Sequence, residues 1–287
     1  MIKNFFHIGY HKTGTTWFQK SFYPLVENIK FIERQNIRDH FYENKEKVFT
    51  NNFNVFCDEE LSGNLHNDGL SGFLTASVRY KISKFQNPVV IIFIRNQFDI
   101  IESSYLQYVK EGGNFSIKKY LFHEKYPDRK NRFPLFSFNH FNYYNLIKSY
   151  CDLIGKENVF IYTYEDFSSN TKAFVQKFIK EHGLKIDIKN IDFSKKNKSY
   201  SIISYYLAKL ISRFTFKNVL FKHYFFHIPW LYEKSTKLLS KIEILPAKNY
   251  NIVNKDLKKY IHKTYKESNQ KLHKNFGIDL SNKGYPI

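Results

Sequence analysis

The chain has 287 residues, 43% of them apolar, which is enough for a large buried core and excludes a disordered chain. Lys and Arg number 45 against 26 Asp and Glu, and the resulting net charge of +19 draws anions such as nucleotides, nucleic acid, anionic lipid or sulfated glycans. Two cysteines, Cys57 and Cys151, exclude a disulfide framework and suit a reducing cytoplasm.

In chain order, short apolar runs predict buried strands at Phe5–Ile8, Asn54–Cys57, Val89–Ile94 and Val159–Tyr162, with a weaker one near Lys30–Glu33. The longest run, Val89–Ile94, is too short for a membrane span of about 20 residues. The first passes directly into a glycine-containing loop, which reads against a signal peptide. Helical patterns lie at Thr15–Val26, Leu70–Phe85, Phe98–Lys110 and Thr171–His182, the last with Phe174, Phe178 and Ile179 on one face. Strands alternating with helices imply an α/β fold, a parallel sheet flanked by helices. Lys125–Asn139, with Pro127 and Pro134, reads as a loop or lid, and from Tyr200 basic aromatic helices take over. We read 1–287 as one domain, with 200–287 a helical C-terminal region packed on it.

In a parallel sheet, ligands bind beyond the carboxyl ends of the strands. The first strand runs into Gly9-Tyr10-His11-Lys12-Thr13-Gly14-Thr15-Thr16 and then a helix, an arrangement that aims backbone N–H groups at phosphate. Gly9 and Gly14 have the spacing of a nucleotide triphosphate loop, yet Thr15 stands where its lysine would be, and the loop lysine is Lys12. Arg95, not Asp, follows the Val89–Ile94 strand. The loop is P-loop NTPase-like without the residues of metal-assisted triphosphate hydrolysis, so no metal is expected.

His11-Lys12-Thr13-Gly14-Thr15-Thr16-Trp17 resembles the 5′-phosphosulfate loop, K-[ST]-G-T-T-W, of sulfotransferases that use 3′-phosphoadenosine 5′-phosphosulfate (PAPS). The resemblance implies that Lys12 contacts the phosphosulfate and that Thr13, Gly14, Thr15 and Thr16 cradle the 5′-phosphate, with Trp17 stacked on adenine. A fixed ammonium there lowers the barrier independently of any family, because charge gathers on the leaving phosphate. The second family motif, a strand ending in Arg with Ser eight positions on, matches Arg95 and Ser103, and implies a 3′-phosphate pocket. Only 7 of the basic residues are Arg, so an Arg here is a specific choice; its planar fork suits phosphate oxygens. Pairing of Arg95 with Asp99 or Glu102 at the helix start is the competing use.

Transfer to a hydroxyl needs a base. The Asn54–Cys57 strand ends in Asp58-Glu59-Glu60-Leu61-Ser62-Gly63, which resembles bacterial sulfotransferases carrying a Glu at this place. The short motif favours Glu59, with Glu60, Asp58 and His11 as the other candidates. Tyr143 through Gly155 and Asn158, Tyr164-Glu165-Asp166, and Ser268-Asn269 through Gly284-Tyr285-Pro286 extend the likeness; Lys198-Ser199 is a weak candidate for covering the donor. Phe214–Trp230, with Lys217, Lys222, His223 and His227, suits an acceptor cover, a peripheral contact with anionic membrane or plain core packing. The resemblance implies a cytoplasmic PAPS-dependent sulfotransferase releasing adenosine 3′,5′-bisphosphate (PAP), with a glycan or glycolipid acceptor and no specific nucleic-acid partner. The rivals are a P-loop kinase and a non-enzymatic polyanion binder.

Overall fold

A computed structural model describes residues 2–43, 45, 47–66, 70–113, 115–125, 136–194, 202–211, 228, 230, 234–235, 238 and 252–287. Five strands, β1 (Lys3–His7), β2 (Lys30–Phe31), β3 (Phe53–Cys57), β4 (Pro88–Ile94) and β5 (Val159–Thr163), form a parallel sheet in the order β2-β3-β1-β4-β5. The register runs through Phe5, which lies between Val55 of β3 and Val89 of β4.

Side chains alternate across a strand, and here the alternation sorts rings between two faces. Phe6, Phe56, Val90, Ile92 and Ile94 join one buried cluster, while Phe5, Val55, Ile91 and Phe93 join the other. Burial on both faces explains why β4 reads as a continuous apolar run. Covering the Phe6 face are α2 (Arg34–Phe41), α3 (Leu70–Ser83), α4 (Gln97–Lys110), α6 (Tyr143–Ile154) and α10 (Lys255–Phe276). The Phe5 face is covered by α1, which starts at Thr15–Trp17, and by α8 (Thr171–His182). Shorter helices are α5 (Ile117–Leu121), α7 (Tyr164–Ser169) and α9 (Ile202–Ile211).

The first helix is less regular than its pattern predicts. After Trp17 it widens to a π-helix over Phe18–Phe22 and tightens to a 3₁₀ turn over Tyr23–Leu25. Pro24 supplies no N–H for a regular turn, so the helical bonding changes before it. On α8 the buried residues are Val175, Phe178 and His182, with half-buried Phe174 and Ile179 alongside.

In the C-terminal region, α10 buries Leu257, Ile261, Tyr265 and Leu272 in the cluster that holds Phe6. It is tied to α4 by a reciprocal amide pair inside the core. Gln97 Nε2 donates to Asn269 Oδ1 at 2.9 Å and Asn269 Nδ2 donates back to Gln97 Oε1 at 3.0 Å. Most of Lys125–Asn139, Lys198-Ser199, and Phe214–Trp230 apart from Ile228 and Trp230 lie outside the described residues. No described helix is long and apolar enough to cross a membrane.

Asn269→Ala removes both halves of the amide pair, leaving Gln97 with only the 3.5 Å contact from its Nε2 to Phe141 O, and takes the Asn269 donor from Pro286 O. It should cost about 1–3 kcal/mol in urea denaturation with an unchanged m value.

Candidate functional site

The strand order places three loops together. The chain grows from β1 outward to β2 and back to β3, then crosses β1 to β4, so the order reverses beside β1. The carboxyl ends of β1, β3 and β4 are adjacent there, where a parallel sheet opens a crevice.

The loop after β1 stays bonded to β4, with Ile8 N–H on Ile91 O at 2.9 Å and Tyr10 N–H on Phe93 O at 3.1 Å. It then turns sharply. Lys12 takes φ +67° and Gly14 φ +95°. A Cβ on Gly14 would sit 2.8 Å from Phe167 Cε1, so both conformation and space demand glycine there. Gly14 opens α1 with no side chain capping it. The Thr13 hydroxyl donates back to Tyr10 O and pins the turn.

Among the described residues, three polar atoms around this loop are buried without a protein partner: His11 Nδ1, Thr15 Oγ1, on a residue 4% exposed, and Arg95 Nε. Orphaned polar atoms this deep are costly unless a ligand completes them. Arg95 Nη1 donates to Lys12 O at 3.1 Å, and its guanidinium lies 4.7 Å from the Tyr164 ring centroid. Arg95 is therefore turned toward the β1 loop. Among the described residues no ion pair joins it to Asp99 or Glu102. Glu102 is pushed up to about 7 by burial and by Asp99, against the pull of Lys258 and Arg95. Ser103 lies half-buried on α4, in the helix that the Arg95 loop opens.

That loop is braced by residues the sequence offers only as weak likeness. Asn96 N–H donates to Glu165 Oε1 at 2.9 Å, and Tyr285 OH donates to Glu165 Oε2 at 2.8 Å. Tyr143 OH donates to Arg95 O at 2.6 Å, and Lys283 Nζ donates to Asp166 Oδ2 at 2.6 Å. The Tyr164-Glu165-Asp166 segment and the Gly284-Tyr285-Pro286 tail thus hold the arginine in place.

Trp17 is buried beside the loop. It is 7% exposed, gives its indole N–H to Asp192 O at 2.9 Å, and stacks near Phe22 and Phe193 at 5.9 and 6.0 Å.

After β3, the acidic triplet is divided. Asp58 is fully buried, caps the 3₁₀ turn Glu59–Ser62 and receives Arg34 at 2.9 and 3.1 Å. Arg34 Nη2 also reaches Glu59 Oε1 at 2.9 Å, and Gln19 Nε2 stands 3.5 Å from Glu59 Oε2. Glu60 pairs with Arg38 at 2.9 Å, and burial raises its pKa against that pull. Arg34 and Arg38 are one helical turn apart on α2 and face the triplet together. Their scarcity among so many lysines was the one sequence signal for them.

Glu59 is within electrostatic range of Lys12, which brings two of the expected catalytic groups into one crevice. Lys12 keeps solvent contact, yet protein crowds it. Poor hydration and Lys110 lower its pKa to about 8, against Glu111 and Glu59, with Arg95 lowering it further. It remains an ammonium at neutral pH. His11 is held neutral, its pKa well below the usual imidazole value, by burial first and then by His140, His66 and Lys12. Its Nδ1 is buried without a partner. His140, also buried, is pushed down to about 4. Among the described residues no trio of His, Cys, Asp or Glu is arranged for a metal ion, the triplet carboxylates being taken by Arg34 and Arg38.

No protein-family model matches the chain, and no curated protein matches it. Among solved structures it is similar to a sulfotransferase from Alicyclobacillus acidocaldarius, at 15% identity over 69% of this chain and 87% of that one, with TM-score 0.50. A looser likeness is to the mouse sulfotransferase SULT7A1 complexed with PAP, at 13% identity over 66% of this chain and 60% of that one, with TM-score 0.38. The first likeness establishes a shared fold; the second is too loose to bear on the site.

Arg34→Ala would leave the Asp58 carboxylate buried with half its partners. Allowing for the water around Arg34, the loss should be about 1–2 kcal/mol in denaturant unfolding.

Proposed function

We propose that the protein transfers a sulfuryl group from PAPS to a hydroxyl. The observation that carries this reading is the pair of anion-directed groups at the switch point. The Lys12–Thr15 loop, with the orphaned Thr15 hydroxyl, lies beside Arg95 and its orphaned Nε. A loop with an unpartnered hydroxyl and a separate arginine beside it suit a donor with a phosphosulfate at one end and a 3′-phosphate at the other. In this reading Lys12, Thr13, Gly14, Thr15 and Thr16 hold the 5′ side, Arg95 and Ser103 hold the 3′-phosphate, and Trp17 approaches adenine.

When bound, PAPS supplies the sulfuryl group and the bisphosphate leaving group. Lys12 places an ammonium against the charge that gathers on the leaving side, where a fixed cation counts most. Glu59 takes the acceptor proton. Arg34 holds one of its oxygens, while the other carries only the long contact from Gln19 and is the lone pair available to a hydroxyl. Glu60 is committed to Arg38, and His11, although neutral and unpartnered at Nδ1, adjoins Lys12 in the loop and serves to shape it.

The acceptor we propose is a carbohydrate or glycolipid hydroxyl. Neutral His11 and His140, which lie within electrostatic range of each other, offer polar, uncharged partners for such groups. The free cysteines Cys57 and Cys151 support a cytoplasmic setting, and the net charge of +19 supports a peripheral contact with anionic membrane.

In thermal-shift measurements PAP should stabilise the protein more than ATP with Mg²⁺, and Arg95→Ala should erase the difference. A larger shift with ATP and Mg²⁺ would point to a kinase instead. Equal shifts with any polyanion, surviving Lys12→Ala, would point to a binding protein. With radiolabelled PAPS and a panel of glycans, Glu59→Gln should keep PAP binding and lower transfer by about 10²-fold or more. Unchanged turnover would move the base to Glu60 or His11.

A further inference from the structure

Lys12 is the loop's only lysine, and its side chain is not held by its own loop. It is held by α4. Lys12 Nζ donates to Gln107 Oε1 at 2.6 Å, and Gln107 Nε2 donates to Glu111 Oε1 at 2.6 Å. Glu111 Oε2 lies 3.4 Å from His66 Nε2, and His66 Nδ1 lies 3.0 Å from Tyr120 OH. From Lys12 to Glu111 the chain has one sense. An ammonium only donates, so the amide must turn its oxygen to Lys12 and its NH₂ to the carboxylate. Between His66 Nδ1 and the fully buried Tyr120 hydroxyl either atom can be the donor, according to the imidazole tautomer.

We propose that Gln107 and Glu111 are positioning residues for Lys12, the amide fixing where the ammonium stands and the carboxylate keeping it charged. The catalytic meaning of this pair rests on the sulfuryl-transfer reading; the chain of bonds does not. Nothing in the loop motif or in the likeness to solved structures assigns either residue a role.

The charged and titratable groups facing Lys12 come from four places. His11 adjoins it in the loop, Lys110 and Glu111 stand on α4 and its end, Glu59 follows β3, and Arg95 follows β4. Hydration loss and Lys110 lower the ammonium's pKa, and Glu111 is the foremost group that restores it. Glu111 can do so because it stays ionised in a crowded place. Burial alone would raise its pKa, but His66, Gln107 and Lys12 outweigh that and bring it below the usual carboxylate value. The sign follows. Removing the Glu111 charge lowers the Lys12 pKa, so the charged form is lost at a lower pH. Placing a carboxylate at position 107 raises it, so the charged form survives to a higher pH.

Competitive acetylation of amines with acetic anhydride across the neutral-to-alkaline range, read on the Lys12 peptide by mass spectrometry, measures this directly. The wild-type midpoint should fall near 8. In Glu111→Gln, labelling at neutral pH should rise about threefold or more, and in Gln107→Glu it should fall below wild type. A general loosening of the fold cannot move the two variants in opposite directions, and the other lysines in the same sample show whether it has occurred. Midpoints that stay put in both variants, or move the same way, overturn the proposal. With PAPS and an acceptor, the alkaline limb of the rate should follow each midpoint. Opposite labelling shifts in a protein that transfers no sulfuryl group would uphold the positioning pair and overturn the functional reading.

Discussion

The site depends on β1 being paired on both sides. Hydrogen bonding to β3 and β4 fixes its register through Phe5, and the backbone bonds of Ile8 and Tyr10 carry that pairing past the end of the strand. A parallel sheet places every strand's carboxyl end on one edge, so this pairing alone sets the loops of Lys12, Glu59 and Arg95 side by side. The two layers of rings on either face hold the pairing against slippage. A one-residue slip would carry Phe6 into the layer of Phe5 and reverse every neighbour.

Given that edge, polar side chains do the finer placement. Each of the three loops is held by groups distant in sequence. The arginine after β4 is steadied by Glu165, Tyr285 and Tyr143, and the carboxylates after β3 by Arg34 and Arg38. The lysine after β1 reaches α4. Several of these bonds join an ion to a neutral partner in a crowded surround, where a hydrogen bond to a charge is shorter and stronger than a neutral one. The site is thus preorganised by its surround more than by its own loops.

How much of this was legible follows from the same division. The loop from His11 to Trp17 and the Arg95–Ser103 spacing are local patterns, and a strand followed by such residues announces an anion site in one dimension. The three central strands were legible because burial on both faces leaves continuous apolar runs, whereas the edge strand β2, exposed to half-buried, gave only a weak signal. Gln107 and Glu111 were not legible, because each matters through a partner tens of residues away, and nothing in its own neighbourhood marks it; Arg34 was marked only by the scarcity of Arg, and Tyr164 only as part of a weak likeness. Trp17 shows the limit of a motif: the residue is present, but the packing of Phe22 and Phe193 decides where the ring lies. The pattern predicts an unbroken first helix from Thr15 to Val26, although Pro24 within it removes an N–H and the helical bonding changes before it.

One stripe of α4 carries Ser103, Gln107 and Glu111 at successive four-residue steps, with neighbouring members about 6 Å apart. On the sulfuryl-transfer reading, the helix is a ruler laid between the proposed 3′-phosphate ligand Ser103 and the lysine. Its start is anchored by the Asn96 cap and the buried Gln97 amide. On that reading, a change that rotates or slides it alters the grip on one end of the donor and the charge at the other together. A drift in donor preference would then arrive coupled to a drift in working pH.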